Sequence, residues 1–325
     1  MRHYKNLEKH IAKRRTLGLL SALTIAAAGF GVSNVAVAQS KVLRIGYQKA
    51  ASTLVLLKAH GALEKRLQAQ GVEVKWAEFA AGPQLLEALN VGSVDFGYVG
   101  EAPPVFAQAA GANFVYTAYE IPTPNAEGLL VQKDSPIKTV AELKGKKIAF
   151  NKGSDVHWLV VALLKKAGLN YSDIQPVYLA PADARAAFEK GAVDAWAIWD
   201  PFQAAAEKQI SARRLATGVG AVSHHQFFLS ARPFAEKNPE ILKVLLEEIT
   251  KEGQWIRANT KEAAAQLAPI QGLETDVIEV SLKRYEHIFK PIDAKVLDEQ
   301  QRIADAFFEL KLIPKKLNVK DAVLK

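Results

Sequence analysis

The segment "GPQLLEALNVGSVDFGYVGEAPP", residues 82–104, returns further along the chain as "PADARAAFEKGAVDAWAIWDP", residues 181–201. Gly92 aligns with Gly191, Asp95 with Asp194 and Glu101 with Asp200, all at an offset of 99. The register extends to whole elements. In the first half, "KVLRIGYQKA" reads as a buried strand ending near Gln48, "STLVLLKAHGALEKRL" as one helix and "VEVKWAEF" as a strand. A helix opening at "GPQLLEALNVG", a strand "VDFGYVG", a helix "APPVFAQAAG" and a strand "NFVYTAY" follow. The second half answers with "KKIAFNKGS", "DVHWLVVALLKKAG", "IQPVYLA", "ADARAAFEKG" and "VDAWAIWD". Strands alternating with helices indicate βαβ units and mostly parallel sheets. A chain that says this twice is expected to build two similar α/β lobes. Parallel α/β sheets bind ligands at the carboxyl ends of their strands. Two lobes face to face therefore predict a small-molecule cleft between them.

The chain has 325 residues, 49% of them hydrophobic, enough for about two domains with sizeable cores. Residues 1–38 carry six basic side chains and one acid, an apolar run from Leu17 to Phe30, and "AVA" before Gln39. That pattern predicts a cleaved secretory signal and a periplasmic, soluble product. The apolar run would span about 21 Å as a helix, short of a bilayer core. Arg14-Arg15 leaves the twin-arginine route open, with the general secretory route as the default. Without this segment the net charge falls from +8 to +3, interspersed, which gives no nucleic-acid footprint. The absence of cysteine removes disulfides, thiolate metal sites and Cys nucleophiles. The histidines show no metal-ligand spacing, and adjacent His224 and His225 would point to opposite faces of an extended segment. No metal and no cofactor is expected.

The lobes are expected at residues 39–132 and 133–225, with a return to the first lobe over 226–325. "EGLLVQKDSPIKTVAELKG" and "HHQFFLSARPFAEKNPE" are the two crossings. Amphipathic helices near 240–258, 260–269, 274–288 and 294–309 are expected to pack around the first lobe.

Four turns open helices at the predicted strand ends. Gly82 and Pro83 open one, Gly100 and Glu101 another, and Gly153 with Ser154 a third. Asp200 and Pro201 open the fourth, as N-cap and first helical residue. Helix N-termini present unpaired N–H groups and partial positive charge, so several converging on a cleft would hold an oxyanion. Ser154 is placed as an N-cap accepting the N–H of His157 or a neighbour. "NKGSD" is not a nucleophile elbow, and no hydrolase is predicted from Ser154, Asp155 and His157. His157 could point a ring N–H at a ligand or serve the helix start. Trp199 ends its strand, where it could cover an apolar ligand tail, and Trp196 reads as core. Glu101 and Asp200 are awkward beside an anion: each either caps a helix or hinge, or binds a cationic group of the ligand.

The phrases "LRIGYQK", "GPQLLEALNVGSVDFG", "PADARAAFEKGAVDAWAIWDP" and "ARPFAEKN" resemble the periplasmic aliphatic-sulfonate-binding proteins of ATP-binding-cassette (ABC) importers. The resemblance runs from about Leu43 to "LIPKKLNVKDAV". It implies a type II periplasmic-binding-protein fold that takes an alkanesulfonate, delivers it to an ABC permease for sulfur acquisition, and works as a monomer. The ligand-binding residues it implies are Gln48, Gly82, Pro83, Gly100, Ser154, His157, Trp199 and Asp200, with Glu101 beside them. Val99-Gly100-Glu101 departs from a Thr-Gly-Asp run, and Asp155 and Trp158 stand where smaller polar residues are common. Taurine, an aromatic sulfonate and nitrate remain alternative ligands. The same superfamily holds a thiamine-pyrimidine synthase, but that enzyme resemblance needs a cytoplasmic protein with a Cys-rich segment.

Overall fold

The computed structural model describes residues 41–324; the expected signal segment, residues 1–38, lies outside the described residues. The first series of elements is β1 (Lys41–Tyr47), α1 (Ser52–His60), α2 (Ala62–Gln68), β2 (Val72–Glu78), α3 (Gly82–Asn90), β3 (Phe96–Gly100), α4 (Ala102–Ala109) and β4 (Phe114–Glu120). The second is β5 (Glu127–Val131), β6 (Lys147–Phe150), α5 (Asp155–Lys166), β7 (Gln175–Tyr178), α6 (Pro181–Glu189), β8 (Ala195–Trp199), α7 (Phe202–Gln209) and β9 (Arg213–Thr217). β10 (Gln226–Ala231), α8 (Arg232–Lys237), α9 (Pro239–Ala258), α10 (Thr260–Gln271), α11 (Thr275–Leu282), β11 (Phe289–Pro291) and α12 (Ala294–Glu309) follow.

Two mixed sheets result, in the orders β2-β1-β3-β10-β4-β11 and β7-β6-β8-β5-β9. Their first five positions correspond strand for strand. In each, the fourth strand is antiparallel to its neighbours and comes from the chain segment that crosses over from the other sheet. Central strands β3 and β8 are buried at every residue, as sheets covered by helices on both faces require. Edge strand β2 alternates toward solvent.

The sequence echo has a mechanical meaning here. The Asp95 carboxylate accepts the Arg44 N–H at 2.8 Å, while the Asp95 N–H donates to the Arg44 carbonyl at 2.8 Å. In the second lobe Asp194 accepts the Lys147 N–H at 2.8 Å and donates its own to the Lys147 carbonyl at 2.9 Å. The same clamp joins β1 to the turn before β3 in the first lobe and β6 to the turn before β8 in the second. Gly92 and Gly191 sit at φ 74° and 68°, a left-handed turn that only glycine enters without strain.

Three expectations change. The helix predicted over "STLVLLKAHGALEKRL" is two helices, because Gly61 adopts φ 64° and closes α1 with its N–H on the Leu57 carbonyl. Residues 127–131, expected in the first lobe, form β5 and hydrogen-bond β8 and β9 of the second sheet. The "GLLV" run is buried at every residue, which a central strand rewards, so the chain crosses over 121–126 rather than near 132. It returns over 218–225, between β9 and β10. The helix expected over 274–288 stops at Leu282, because Arg284 turns to Asp200 and the His287 N–H turns to Glu120 Oε1 at 2.7 Å. The C-terminal helices pack mainly on the first sheet: α9 on α1 and α2, α10 on α1, and α12 on α4. α11 instead lies on α7 of the second lobe, where Val277 meets Ala204 and Ala205.

Candidate functional site

Helices α3 and α5 start at the carboxyl ends of β2 and β6, in different lobes, and both open onto one narrow interlobe cavity of about 10 Å³. Neither has a side chain capping its first N–H groups. Ser154 was expected to cap α5 with its hydroxyl. The hydroxyl instead donates back to the Asn151 carbonyl at 2.7 Å, and the Ser154 carbonyl takes the His157 N–H at 3.0 Å. Two uncapped N-termini therefore bring N–H donors and partial positive charge to the same space. No lysine or arginine is among the residues lining it.

Five of the expected residues line the cavity: Gln48, Gly82, Gly100, Ser154 and Trp199. Gln48 is fixed by its Nε2, which donates to the Tyr98 carbonyl at 3.0 Å. Gly82 allows close packing of α3 on α4, since a Cβ there would meet Pro103 Cγ at 2.8 Å. Trp199 is 5% exposed and leans edge-on against Phe202, which presents an apolar wall.

Four do not line it. Pro83 faces the outer side of α3, toward Phe106. His157 is fully buried, with both ring nitrogens engaged: Nδ1 accepts the Gly153 N–H at 3.2 Å and Nε2 meets the Tyr171 hydroxyl at 3.0 Å. Its ring stacks on Phe106 and touches Phe150 and Phe307. Burial, helped by the Lys152 charge, pushes its pKa down to about 3, so it is a neutral packing group joining the lobes. Asp200 accepts the Ala204 N–H at 2.8 Å and is paired with Arg284 at 3.3 Å. It thus caps α7, which begins at Phe202, and ties it to the loop after α11. Burial raises its pKa to about 6 against the pull of Arg284. Glu101 accepts the His225 N–H at 2.9 Å, and its carbonyl accepts Gln300 Nε2 at 2.5 Å. Its acid is pushed up to about 8 by burial, with Glu127 adding to the effect.

Six lining residues were not expected: Ala50, Tyr98, Pro103, Asp155, Gln226 and Tyr285. Tyr98 was within reach of sequence reasoning, because it lies two residues before Gly100 on β3 and so shares its face. Gln226 pairs with Gly100 across β10, and Tyr285 follows α11; neither position carries a local signal.

Behind the cavity lies a buried ionisable group of unusual composition. Asp155 and Gly100 touch across the lobes so closely that a Cβ on Gly100 would fall 1.8–1.9 Å from the carboxylate atoms. Asp155 Oδ2 receives Gln226 Nε2 at 3.3 Å and lies 3.6 Å from His224 Nε2. Glu127 Oε2 is 3.7 Å from the same ring nitrogen. Burial disfavours the His224 imidazolium, but the Glu127 and Asp155 carboxylates more than offset this and raise its pKa. His224 and His225 do diverge: His224 turns to Thr123, while His225 meets the Glu120 carbonyl and Glu299.

Comparison with known proteins gives a consistent picture. Residues 67–263 match the family described as NMT1/THI5 like. The chain is 46% identical, over 97% of its length and 96% of the relative's, to a protein of Escherichia coli (strain K12) named for aliphatic sulfonates binding. A Bacillus subtilis (strain 168) relative named in the same way is 34% identical over 88% of this chain and 86% of its own. Among solved structures, the alkanesulfonate-binding protein SsuA from Xanthomonas axonopodis pv. citri bound to MOPS is similar at a TM-score of 0.83. It is 45% identical and is matched over 87% of this chain and 98% of that one.

Proposed function

The chain belongs to the family of aliphatic-sulfonate-binding proteins of ABC importers, and from that premise we propose that its sulfonate sits between the lobes at the N-termini of α3 and α5. As a member of that family it is a solute-binding protein and not an enzyme. One observation carries the placement: two uncapped helix starts from different lobes open on one small cavity walled by Trp199. Backbone N–H groups there would hold the sulfonate oxygens without a buried cation. Trp199 would cover the carbon chain. MOPS, the ligand named with the Xanthomonas relative, likewise joins a sulfonate to an organic body.

A ligand bridging both lobes binds the closed arrangement better than an open one and shifts the population toward it. The segments 121–126 and 218–225 are the hinge in this reading. We place residues 41–120 and 226–324 in the first lobe and 127–217 in the second. Like its periplasmic relatives, the protein would be exported by a signal cleaved before Gln39 and would hand its ligand to permease subunits as a monomer.

Thermal unfolding with methane-, ethane- and butanesulfonate, sulfate and nitrate tests the assignment. A ligand at about 100 times its dissociation constant adds about 2.7 kcal/mol, a rise of several degrees. A rise with sulfonates that exceeds the rise with sulfate and nitrate is expected. Equal responses to all five anions would leave Trp199 without a role and contradict the reading.

A further inference from the structure

The buried acids behind the cavity outnumber the cations that face them. Glu101, between β3 and α4, belongs to the first lobe; Glu127, at the start of β5, belongs to the second. Both are fully buried, and Glu101 Oε1 and both carboxylate oxygens of Glu127 have no hydrogen-bond partner. Asp155, from the start of α5, brings a third carboxylate from the second lobe. Glu120 on β4 adds a fourth, but donors serve it: the Tyr98 hydroxyl donates to Oε2 at 2.7 Å and the His287 N–H to Oε1. One imidazole, that of His224, meets the first three, 3.6 Å from Asp155 and 3.7 Å from Glu127. Burial opposes its charge, but Glu127 and Asp155 hold it protonated. The other cations are spent elsewhere. Arg284 is engaged by Asp200 and Glu207, and the His225 ring by Glu299 and the Glu120 carbonyl. Burial keeps His287 neutral, and it keeps the Tyr98 and Tyr285 hydroxyls protonated. One imidazolium offsets one carboxylate, and an ionised carboxylate buried without donors is costly. Glu101 and Glu127 are left to hold a proton, and burial lifts them to about 8 and about 7.

We propose that closure on a sulfonate takes up a proton on the Glu101–Glu127 pair, so that the protein binds its ligand more tightly in acid than in alkaline medium. The proposal rests on the sulfonate reading above and adds regulation to the same site. Closure brings Asp155 against Gly100 and shuts the four groups away from water. Opening parts Asp155 and Glu127 of the second lobe from Glu101 and Gln226 of the first and lets water reach them, which returns the carboxyls toward their ordinary range. The bound sulfonate adds a further negative charge beside Asp155 and so favours the protonated form of its neighbours. A carboxyl held higher in the closed form than in the open one gains protons on closure. Binding is then strongest at low pH and weakens as pH rises to about 8, where the closed form also gives up its proton. Alkanesulfonates stay ionised throughout, so the proton belongs to the protein.

Titration calorimetry with ethanesulfonate at about pH 7, repeated in bis-tris, imidazole and Tris, tests this. None of these buffers is a sulfonate, and each adds its own ionisation heat in proportion to the protons exchanged. Uptake of about 0.3–1 proton per sulfonate is expected, with affinity falling about threefold or more from about pH 6 to about pH 8.5. Glu101→Gln and Glu127→Gln keep the side-chain shape without the acid. Each should still bind ethanesulfonate, which also shows that the variant is folded, and should lower the count; the double variant should bring it to about zero. The count in the unaltered protein needs no variant to fold. Heats that do not vary with buffer in that protein, although ethanesulfonate binds, would overturn the coupling and leave the sulfonate site standing. An unchanged count in the double variant would also overturn it. Failure of ethanesulfonate and butanesulfonate to bind in any buffer would overturn the sulfonate reading and the coupling together.

Discussion

At Gly100 the lobes come into contact beside the cavity, and one hydrogen atom there decides whether they can. Any side chain at this position meets the Asp155 carboxylate at less than 2 Å from its first carbon. Gly100→Ala should therefore keep the fold but hold the lobes apart, weakening sulfonate binding by about tenfold or more in titration calorimetry. Undiminished affinity would mean that Asp155 swings away at no cost. Glu101 gives a second residue-scale outcome. Its acid is raised from 4.5 to about 8, chiefly by burial. The folded protein thus holds this proton more tightly than the unfolded chain does. Its contribution to stability is whole below 4.5 and is lost as pH rises through about 8. Glu101→Gln keeps an acceptor for the His225 N–H and cannot ionise. Relative to the variant, the unaltered protein should lose stability between about pH 5 and about pH 9, read from urea midpoints at several pH values. Parallel pH profiles would contradict the assignment.

Among the secondary-structure elements, the repeated aspartates tie strands rather than hold ligand. Asp95 and Asp194 each close the same reciprocal pair of hydrogen bonds, away from the cavity. Asp194→Ala should cost about 0.5–1.5 kcal/mol in chemical unfolding, because the Lys147 N–H exchanges its acceptor for water at an exposed position, and should leave sulfonate affinity within about twofold. A loss of affinity without a loss of stability would reverse that view. The two-lobe order of strands and helices was legible because glycine and proline punctuate it and because buried strands read as apolar runs. Residues with a local signature were legible too. Gly82, Gly100, Ser154 and Trp199 stand at strand-to-helix turns, where an α/β sheet exposes its ligand edge. His157 stands at such a turn as well, yet it was drawn into an aromatic cluster supplied partly by Phe106 and Phe307 of the other lobe. Gln226, Tyr285 and the Asp155–His224 contact likewise depend on how the lobes meet, which no local pattern encodes. The crossing strand β5 was assigned to the wrong lobe for a related reason: an apolar run reads the same in either sheet.

Across the whole molecule, two copies of one β-α-β-α-β plan each lend their antiparallel fourth position to a strand arriving from the other. This exchange fixes two chain crossings beside the cavity and places the buried ionisable group of Glu101, Glu127, Asp155 and His224 next to them. α11 and the Arg284–Asp200 pair add a third link between the C-terminal segment and the second lobe. The account therefore predicts a ligand held by both lobes at once. A crystal structure with a bound aliphatic sulfonate tests this most directly. Sulfonate oxygens should lie about 3 Å from backbone nitrogens at the starts of both α3 and α5, with the carbon chain against Trp199. A sulfonate outside the cavity, or one touching a single lobe, would contradict it.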